Sequence, residues 1–292
     1  MEAMPVEGVG VTAVAVAAAR ALETDRPDPL IVDPWAAPLV RASGVAVPFP
    51  DHWPEHPEDA SAIEHSMLLG ATYIGMRTRF IDDELLAGGL RQVGILGSGL
   101  DTRSWRLDWP HGTRVFELDS PAVVEFVTTT MDAASATPAV HRTALGADVT
   151  APWAAAIVRS GFRPDQPTHW VLEGLLPYLS AHDQAALLDD VIDLSAPGSR
   201  AVIERAPALT DTPETRERLQ TFALATGIPL DELLARTDPP DPAEVLRAAG
   251  WSVAQTGVED LERRYARPLR ADRDDAGTAQ QRGGFVTAHL AA

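Results

Sequence analysis

Two glycines, Gly97 and Gly99, follow the apolar run Gln92–Leu96 in the stretch ILGSGLDTR. Their missing side chains permit a tight turn and close backbone approach to a ligand at the carboxyl end of a strand. A dinucleotide, a nucleoside triphosphate and a nucleoside carrying an amino acid would each use such a loop. A dinucleotide fingerprint asks for a third glycine at position 102, where this chain has Thr102. A triphosphate loop asks for a lysine, and the chain contains none. A nucleoside ribose needs a carboxylate about 20 residues beyond the glycines, and Asp119 closes the next apolar run, Arg114–Leu118. Glu117 shares its face by period-two alternation, but the residue at the strand end is the one that reaches the crevice. A helix cap is the plain alternative for Asp119, because Asp119-Ser120-Pro121 also fits a helix start.

Further along, Gly146-Ala147-Asp148-Val149 closes a third run. In a doubly wound sheet this places Asp148 to accept an adenine amine and the Val149 amide to meet a ring nitrogen, unless Asp148 is only a turn residue before Pro152. A fourth run delivers Glu173 in WVLEGLLPYL. A carboxylate at that position costs several kcal/mol if stranded, so it is expected to line the crevice. Tyr178 follows, either to orient an acceptor oxygen or to pack its ring. His65, His169 and His182 lie near these elements and read more readily as structural residues than as bases.

The elements that must hold these residues follow from periodicity. Short apolar runs at 92–96, 114–118, 140–147, 169–173, 200–204, 251–256 and 284–290 alternate with helical segments, the pattern of a parallel sheet with crossover helices. The first ninety residues read as helices broken by proline-rich loops. One helix spans Val11–Glu23 with Thr12 as a candidate cap, and another runs from about Ile63 to Leu86. The chain divides into a helical cap over 1–90, integral to the domain, and an α/β core over 91–292. The core carries an insertion at about 206–236 and a polar loop from Ala271 to Gly284. Trp35, Trp53, Met67, Tyr73 and Phe222 are candidate apolar walls for an acceptor, or else cap core.

Composition narrows the function classes. The 292 residues carry a formal charge of −18, which repels polyphosphate and argues against a nucleic-acid partner. There is no cysteine, hence no disulfide, thiolate metal site or cysteine nucleophile, and a reducing cytoplasm is the expected setting. The alanine-rich run from Val9 to Ala19 is about half a membrane span and is preceded by Glu2 and Glu7, so neither a signal peptide nor an anchor is expected.

Taken together, these residues resemble the leucine carboxyl methyltransferase family, and within it the bacterial S-adenosylmethionine-dependent O-methyltransferases, polyketide-tailoring members included. The motifs that carry the resemblance are TAVAVAAARALETDRPDPLIVDP, RTRFIDD, GSGLDTRSWRLDWP, FELDSP, ADV, EGLLPYL and SAPGSR, in that order. The resemblance implies a Rossmann-like class I methyltransferase sheet, mostly parallel with the last strand antiparallel, and S-adenosylmethionine as cofactor. It implies that Arg77 pairs with the methionine carboxylate, a task for a planar guanidinium, although a helix ion pair to Asp82 or Asp83 is the alternative. Gly97 and Gly99 would form the backbone approach with Asp101 in the same loop, and Asp119 would accept the ribose. Asp148 and Val149 would contact adenine, Glu173 the methionine portion, and Arg20 would close over the cofactor. Val127 and Thr150 depart from the family's usual lysine and arginine, at positions peripheral to these contacts.

Methyl transfer is an in-line displacement, so alignment and exclusion of water are the protein's main work. A carboxylate acceptor is already ionised at neutral pH and needs no base, whereas a phenol would gain from one. Candidate bases are scarce, which favours a carboxylate on a small molecule; no metal site is expected. A phenol or hydroxyl acceptor, a nicotinamide-dependent oxidoreductase and a non-catalytic cofactor-binding protein are the rival readings.

Overall fold

The computed structural model describes residues 9–47, 49–205, 239–269 and 283–292. The expected insertion at 206–236, with Phe222, lies outside the described residues, as does most of the polar loop before Gly284. The elements in chain order are α1 (Val9–Thr24), α2 (Ala36–Ser43), α3 (Ala62–Gly88), β1 (Gln92–Leu96), α4 (Arg103–Arg106), β2 (Arg114–Asp119), α5 (Pro121–Ala133) and β3 (His141–Gly146). They continue with α6 (Ala154–Arg159), β4 (His169–Leu172), α7 (Ala181–Asp193), β5 (Arg200–Arg205), α8 (Pro242–Ala248), β6 (Ser252–Gly257), α9 (Val258–Tyr265) and β7 (Gly284–His289).

The strands form one sheet in the order β3-β2-β1-β4-β5-β7-β6. The first five are parallel, and β7 runs antiparallel between β5 and β6. Burial explains the composition of each strand. β1 and β4, in the middle and covered on both faces, are buried at every position, whereas the edge strand β3 is open enough to carry His141 and Arg142. The chain order reverses between β1 and β4, so their carboxyl ends splay apart and leave a crevice there.

Two layers of side chains cover the sheet. On one face Phe116 and Trp170 meet Trp153, Phe162 and the apolar side of α7, with Trp153 and Trp170 edge-on at 6.2 Å between ring centroids. On the other, Val93, Val115, Val171 and Val202 pack against Met76, Phe80 and Ile81 of α3. That helix starts with a reciprocal Ser61–Glu64 capping box and stops at the left-handed Gly89. Its earlier turns bury Leu68, Ala71 and Ile74 against Ala19 and Leu22 of α1, so a single helix carries the chain from the cap into the sheet layer.

α1 lies across the crevice, and its alanines let helices on either side approach closely. Val14 and Ala17 face a cluster with Leu39, Leu100 and Phe126, while Ala19 and Leu22 face α3. The helix begins at Val9, earlier than the sequence reading placed it, so Thr12 is an interior residue facing the cavity and not a cap. No helix among the described residues is long and apolar enough to cross a membrane.

Candidate functional site

A cavity of about 610 Å³ opens at the crevice, within the size range of small-molecule sites. α1 covers it with Thr12, Ala13, Val16 and Arg20, α3 adds Arg77 and Thr78, and the segments that follow β1, β2, β3 and β4 supply most of the other walls. Gly97, Gly99, Asp101, Asp119, Asp148, Val149, Glu173, Tyr178, Arg77 and Arg20 all line it.

The loop after β1 needs its glycines. Gly97 and Gly99 have φ of 66° and 50°, and a Cβ on Gly97 would lie 2.8 Å from Leu175 Cδ1. The amides of Gly97 and Ser98 both donate to the carbonyl of Leu118, at 2.8 and 3.1 Å. The Gly99 amide donates to Asp119 Oδ2 at 2.7 Å, and the Ser120 amide to Asp119 Oδ1, also at 2.7 Å. Asp119 therefore fastens the glycine loop to β2. Ser120, not Asp119, occupies the N-cap position of α5, and it makes no side-chain cap bond. Burial pushes the Asp119 carboxyl up and the two backbone amides pull it back. Each of its oxygens has a further lone pair to offer.

Glu173, just past β4, meets two guanidinia. Its Oε1 lies 2.8 Å from Arg77 Nε and its Oε2 lies 2.7 Å from Arg103 Nη1. Burial alone would raise this carboxyl, but Arg103 and Arg77 outweigh it and bring it down to about 2. Arg77 also donates from Nη1 to Glu204 Oε2 at 2.9 Å. The ion pair to Asp82 or Asp83 considered from the sequence does not form. Asp82 is taken by Arg103 and Arg106, and Asp83 by Arg79, Arg264 and the Tyr265 hydroxyl. The reason is geometric: α3 turns Arg77 toward the ends of β4 and β5, while its next turn faces α4 and α9.

Asp101 is held from within its own loop. Its Oδ1 accepts the Arg103 amide at 2.6 Å and its Oδ2 the Arg103 Nη1 at 2.5 Å. Arg103, itself buried, thus ties Asp101, Glu173 and Asp82 together. Arg20 donates from Nε to Asp33 Oδ2 at 2.9 Å and from Nη2 to the carbonyl of Leu100 at 2.6 Å. Thr102, which stands where a dinucleotide site would want its third glycine, donates its hydroxyl to the same Asp33 oxygen at 2.7 Å. Burial opposes the Asp33 charge, yet Arg20 and Arg106 hold this carboxyl below its ordinary value.

At the far rim, Asp148 is exposed and uses Oδ1 to accept both the amide and the hydroxyl of Thr150, each at 2.8 Å. The turn role is real, and Asp148 still lines the cavity, with Oδ2 outside these two bonds. Tyr178 ends a short 3-10 turn, Leu176–Tyr178, and is hydrogen-bonded to the Thr12 hydroxyl. Burial pushes its phenol further above the ordinary value, which already leaves it protonated at neutral pH.

For the remaining candidates the structure decides between the two readings the sequence allows, and in each case for the structural one. Trp35, Trp53 and Tyr73 pack in the cap clusters, Met67 is buried, and none of the four lines the cavity. His65 and His182 are exposed on their helices. His169 opens β4 and so lies at the opposite end of the strand from the crevice; none of these histidines lines the cavity either. Conversely, Asp33, Arg103 and Glu204 order the site and were not singled out, because each also meets partners far away in the chain: Thr102, Glu173 and Arg77.

The donor set suits a nucleoside that bears an amino acid. A carboxylate at the end of β2 can accept from hydroxyls, and guanidinia near the β4 turn can take an anionic group. The buried Nε of Arg77 lies near Glu173 without an aligned hydrogen bond, which leaves this guanidinium a donor to reassign. No glycine stands at 102 to open the loop toward a pyrophosphate.

Comparison with known proteins gives the chain its family. The family described as Leucine carboxyl methyltransferase matches residues 13–192. A protein of Saccharopolyspora erythraea is 44% identical over 286 residues, covering 97% of this chain and 96% of its own. One of Mycolicibacterium gilvum is 41% identical over 281 residues, covering 90% and 91%. Both bear the name "Putative S-adenosyl-L-methionine-dependent methyltransferase". Among solved structures, "a putative methyltransferase from Thermobifida fusca" aligns with a TM-score of 0.53 at 19% identity, over 96% of this chain and 94% of that one. A duf574 family protein from Streptomyces avermitilis aligns with a TM-score of 0.52 at 15% identity, over 83% and 93%. At these identities the two structures share the fold.

Proposed function

The chain belongs to the leucine carboxyl methyltransferase family, and on that premise we propose that it uses S-adenosylmethionine to methylate a carboxylate oxygen of a small molecule. The supporting observation is the cavity between β1 and β4. It combines an acidic residue at the end of β2 with guanidinia beside the β4 turn, and no histidine or lysine lines it among the described residues.

In this reading the cofactor's sulfonium supplies an electrophilic methyl group. Asp119 accepts from the ribose hydroxyls with the lone pairs that Gly99 and Ser120 leave over. Asp148 and the Val149 amide meet the adenine edge, and Gly97, Gly99 and Asp101 shape the loop over the sugar. Arg77 and Arg20 receive the amino-acid carboxylate, and Glu173 its ammonium. Tyr178, a phenol that holds its proton at neutral pH, donates to the acceptor oxygen and so orients it. A carboxylate acceptor has a pKa near 4, so its oxygen attacks without proton removal and the chain need only align it and exclude water.

Calorimetric titration with S-adenosylhomocysteine and with NAD is the first test, with binding of the former and none of the latter expected. Transfer of a labelled methyl group to a panel of carboxylic acids and phenols is the second. Methyl esters release methanol in alkali and ethers do not, so label recovered as methanol supports carboxylate methylation. Alkali-stable product would move the reading to a phenol or alcohol, and tight binding without transfer to a cofactor-binding protein.

A further inference from the structure

Glu204, at the end of β5, receives three donors. Its Oε1 accepts the Tyr73 hydroxyl at 2.6 Å; its Oε2 accepts Arg77 Nη1 at 2.9 Å and the Gly174 amide at 2.8 Å. The three donors come from different parts of the fold. Tyr73 and Arg77 sit one turn apart on α3, and Gly174 is in the turn after β4, a strand paired directly with β5. Gly174 has φ of 60°, and a Cβ there would lie 3.4 Å from Arg77 Nη1 and 3.8 Å from Glu204 Oε2. The turn that carries Glu173 and leads to Tyr178 is thus pinned on Glu204 and closes over the Arg77 guanidinium.

The Arg77 and Glu204 side chains are only 8% and 10% exposed. A buried ion pair is a poor source of net stability, since desolvating the two charges costs about as much as their attraction returns. What such a cluster does supply is fixed direction. With Nη1 committed to Glu204 and Nε close to Glu173, the plane of the Arg77 guanidinium is set and Nη2 carries neither contact. Tyr73, whose phenol burial and Glu204 push well above its ordinary value, stays a donor and fixes the other Glu204 oxygen.

We propose that Glu204, steadied by Tyr73, is a positioning residue that aims Arg77 at the amino-acid end of the cofactor and holds the β4 turn beside it. The inference rests on the methyltransferase reading. Glu204 lies outside the stretch matched by the family, residues 13–192, and does not line the cavity.

The test compares two probes that differ only at that end. S-adenosylhomocysteine carries the amino acid, whereas 5′-methylthioadenosine lacks it. Glu204→Gln keeps the shape and an acceptor for the Gly174 amide but removes the charge that orients Arg77. It is expected to weaken S-adenosylhomocysteine binding about tenfold and leave methylthioadenosine binding within twofold. Tyr73→Phe, a milder change, is expected to give a selective loss of two- to threefold. In an Arg77→Leu background the ratio of the two affinities is expected to be unchanged by Glu204→Gln, since any change in the fold there acts on both probes alike. Equal weakening of both probes, or no weakening of either, would overturn the proposal, as would an undiminished selective effect of Glu204→Gln in the Arg77→Leu background. Failure of the unsubstituted protein to bind S-adenosylhomocysteine would overturn the methyltransferase reading itself, and this inference with it.

Discussion

In the proposed function Asp119 has two tasks on one carboxylate. It ties the glycine loop to β2 through the Gly99 amide, and its remaining lone pairs are the ones a ribose would use. A substitution there acts on both, and the two are separable. Asp119→Ala is expected to weaken S-adenosylhomocysteine binding by about 1–3 kcal/mol, the range for losing hydrogen bonds to a charged acceptor. Asp119→Asn retains one acceptor oxygen for the Gly99 amide, so the loop keeps its tie and the loss should fall near the lower end. Calorimetric titration of the two variants checks this, and equal, unchanged dissociation constants would remove Asp119 from the site. Arg77 shows the opposite division. Its burial between Glu173 and Glu204 means that its removal leaves two carboxylates short of a partner, so affinity and fold respond together.

At the scale of elements, the site depends on how α1 is fastened across the crevice. The fastener is Asp33, in the turn before α2. It accepts from Arg20 of α1 and Thr102 of the glycine loop on one oxygen, and from the amides of Trp35 and Ala36 on the other. Asp33→Asn keeps the volume but weakens the hold on Arg20. Amides of α1 are then expected to exchange hydrogen at least tenfold faster while those of β1 and β4 keep their protection, with cofactor-product affinity falling in parallel. Uniform exchange in the variant and the unsubstituted protein would show that α1 is held by packing alone. All seven strands among the described residues were legible in the sequence because their apolar runs are bounded by turns and helical periods. The ends of β1 to β4 were legible for the same reason, and with them Gly97, Asp119, Asp148 and Glu173. What could not be read was pairing across the fold. Glu204 meets Arg77 only because β5 lies beside β4 and α3 crosses both, and Asp33 meets Thr102 only once the cap has docked. Period and propensity describe neighbours in the chain, so His169 read as near the site although it opens its strand at the far end.

For the whole molecule, acid sets these local terms against one another. The chain carries −18 at neutral pH, so acidification toward its pI of about 4.7 relieves self-repulsion. Burial raises the carboxyls of Glu23, Glu117 and Asp119, so the stability they contribute is present at low pH and lost as pH rises through their folded values. Glu173, held at about 2, contributes stability above 4.5 that is lost as pH falls toward 2. His169 works in a different window. Burial, reinforced by Arg200, takes its imidazole from 6.5 down to about 3, and its Nδ1 is buried without a hydrogen-bond partner. A Cβ on Gly88 would lie 2.8 Å from that nitrogen, so the end of α3 seals it from water. The folded ring therefore stays neutral while the unfolded one takes a proton below pH 6.5, and stability falls from there toward pH 3. Between pH 6.5 and 4.5 it opposes the raised carboxyls and the relief of charge, at about 1.4 kcal/mol per pH unit, or about 2–3 kcal/mol over that interval. His169→Gln removes this one titration, so denaturant unfolding of the variant is expected to gain that much on the unsubstituted protein as pH drops from 6.5 to 4.5. Parallel pH profiles would mean that the buried imidazole already accepts a proton in the folded state. Because His169 sits at the amino end of β4 and the cavity at its carboxyl end, affinity for S-adenosylhomocysteine at pH 7.5 should be the same in both proteins. The acid response of the fold is thereby separated from the chemistry of the site.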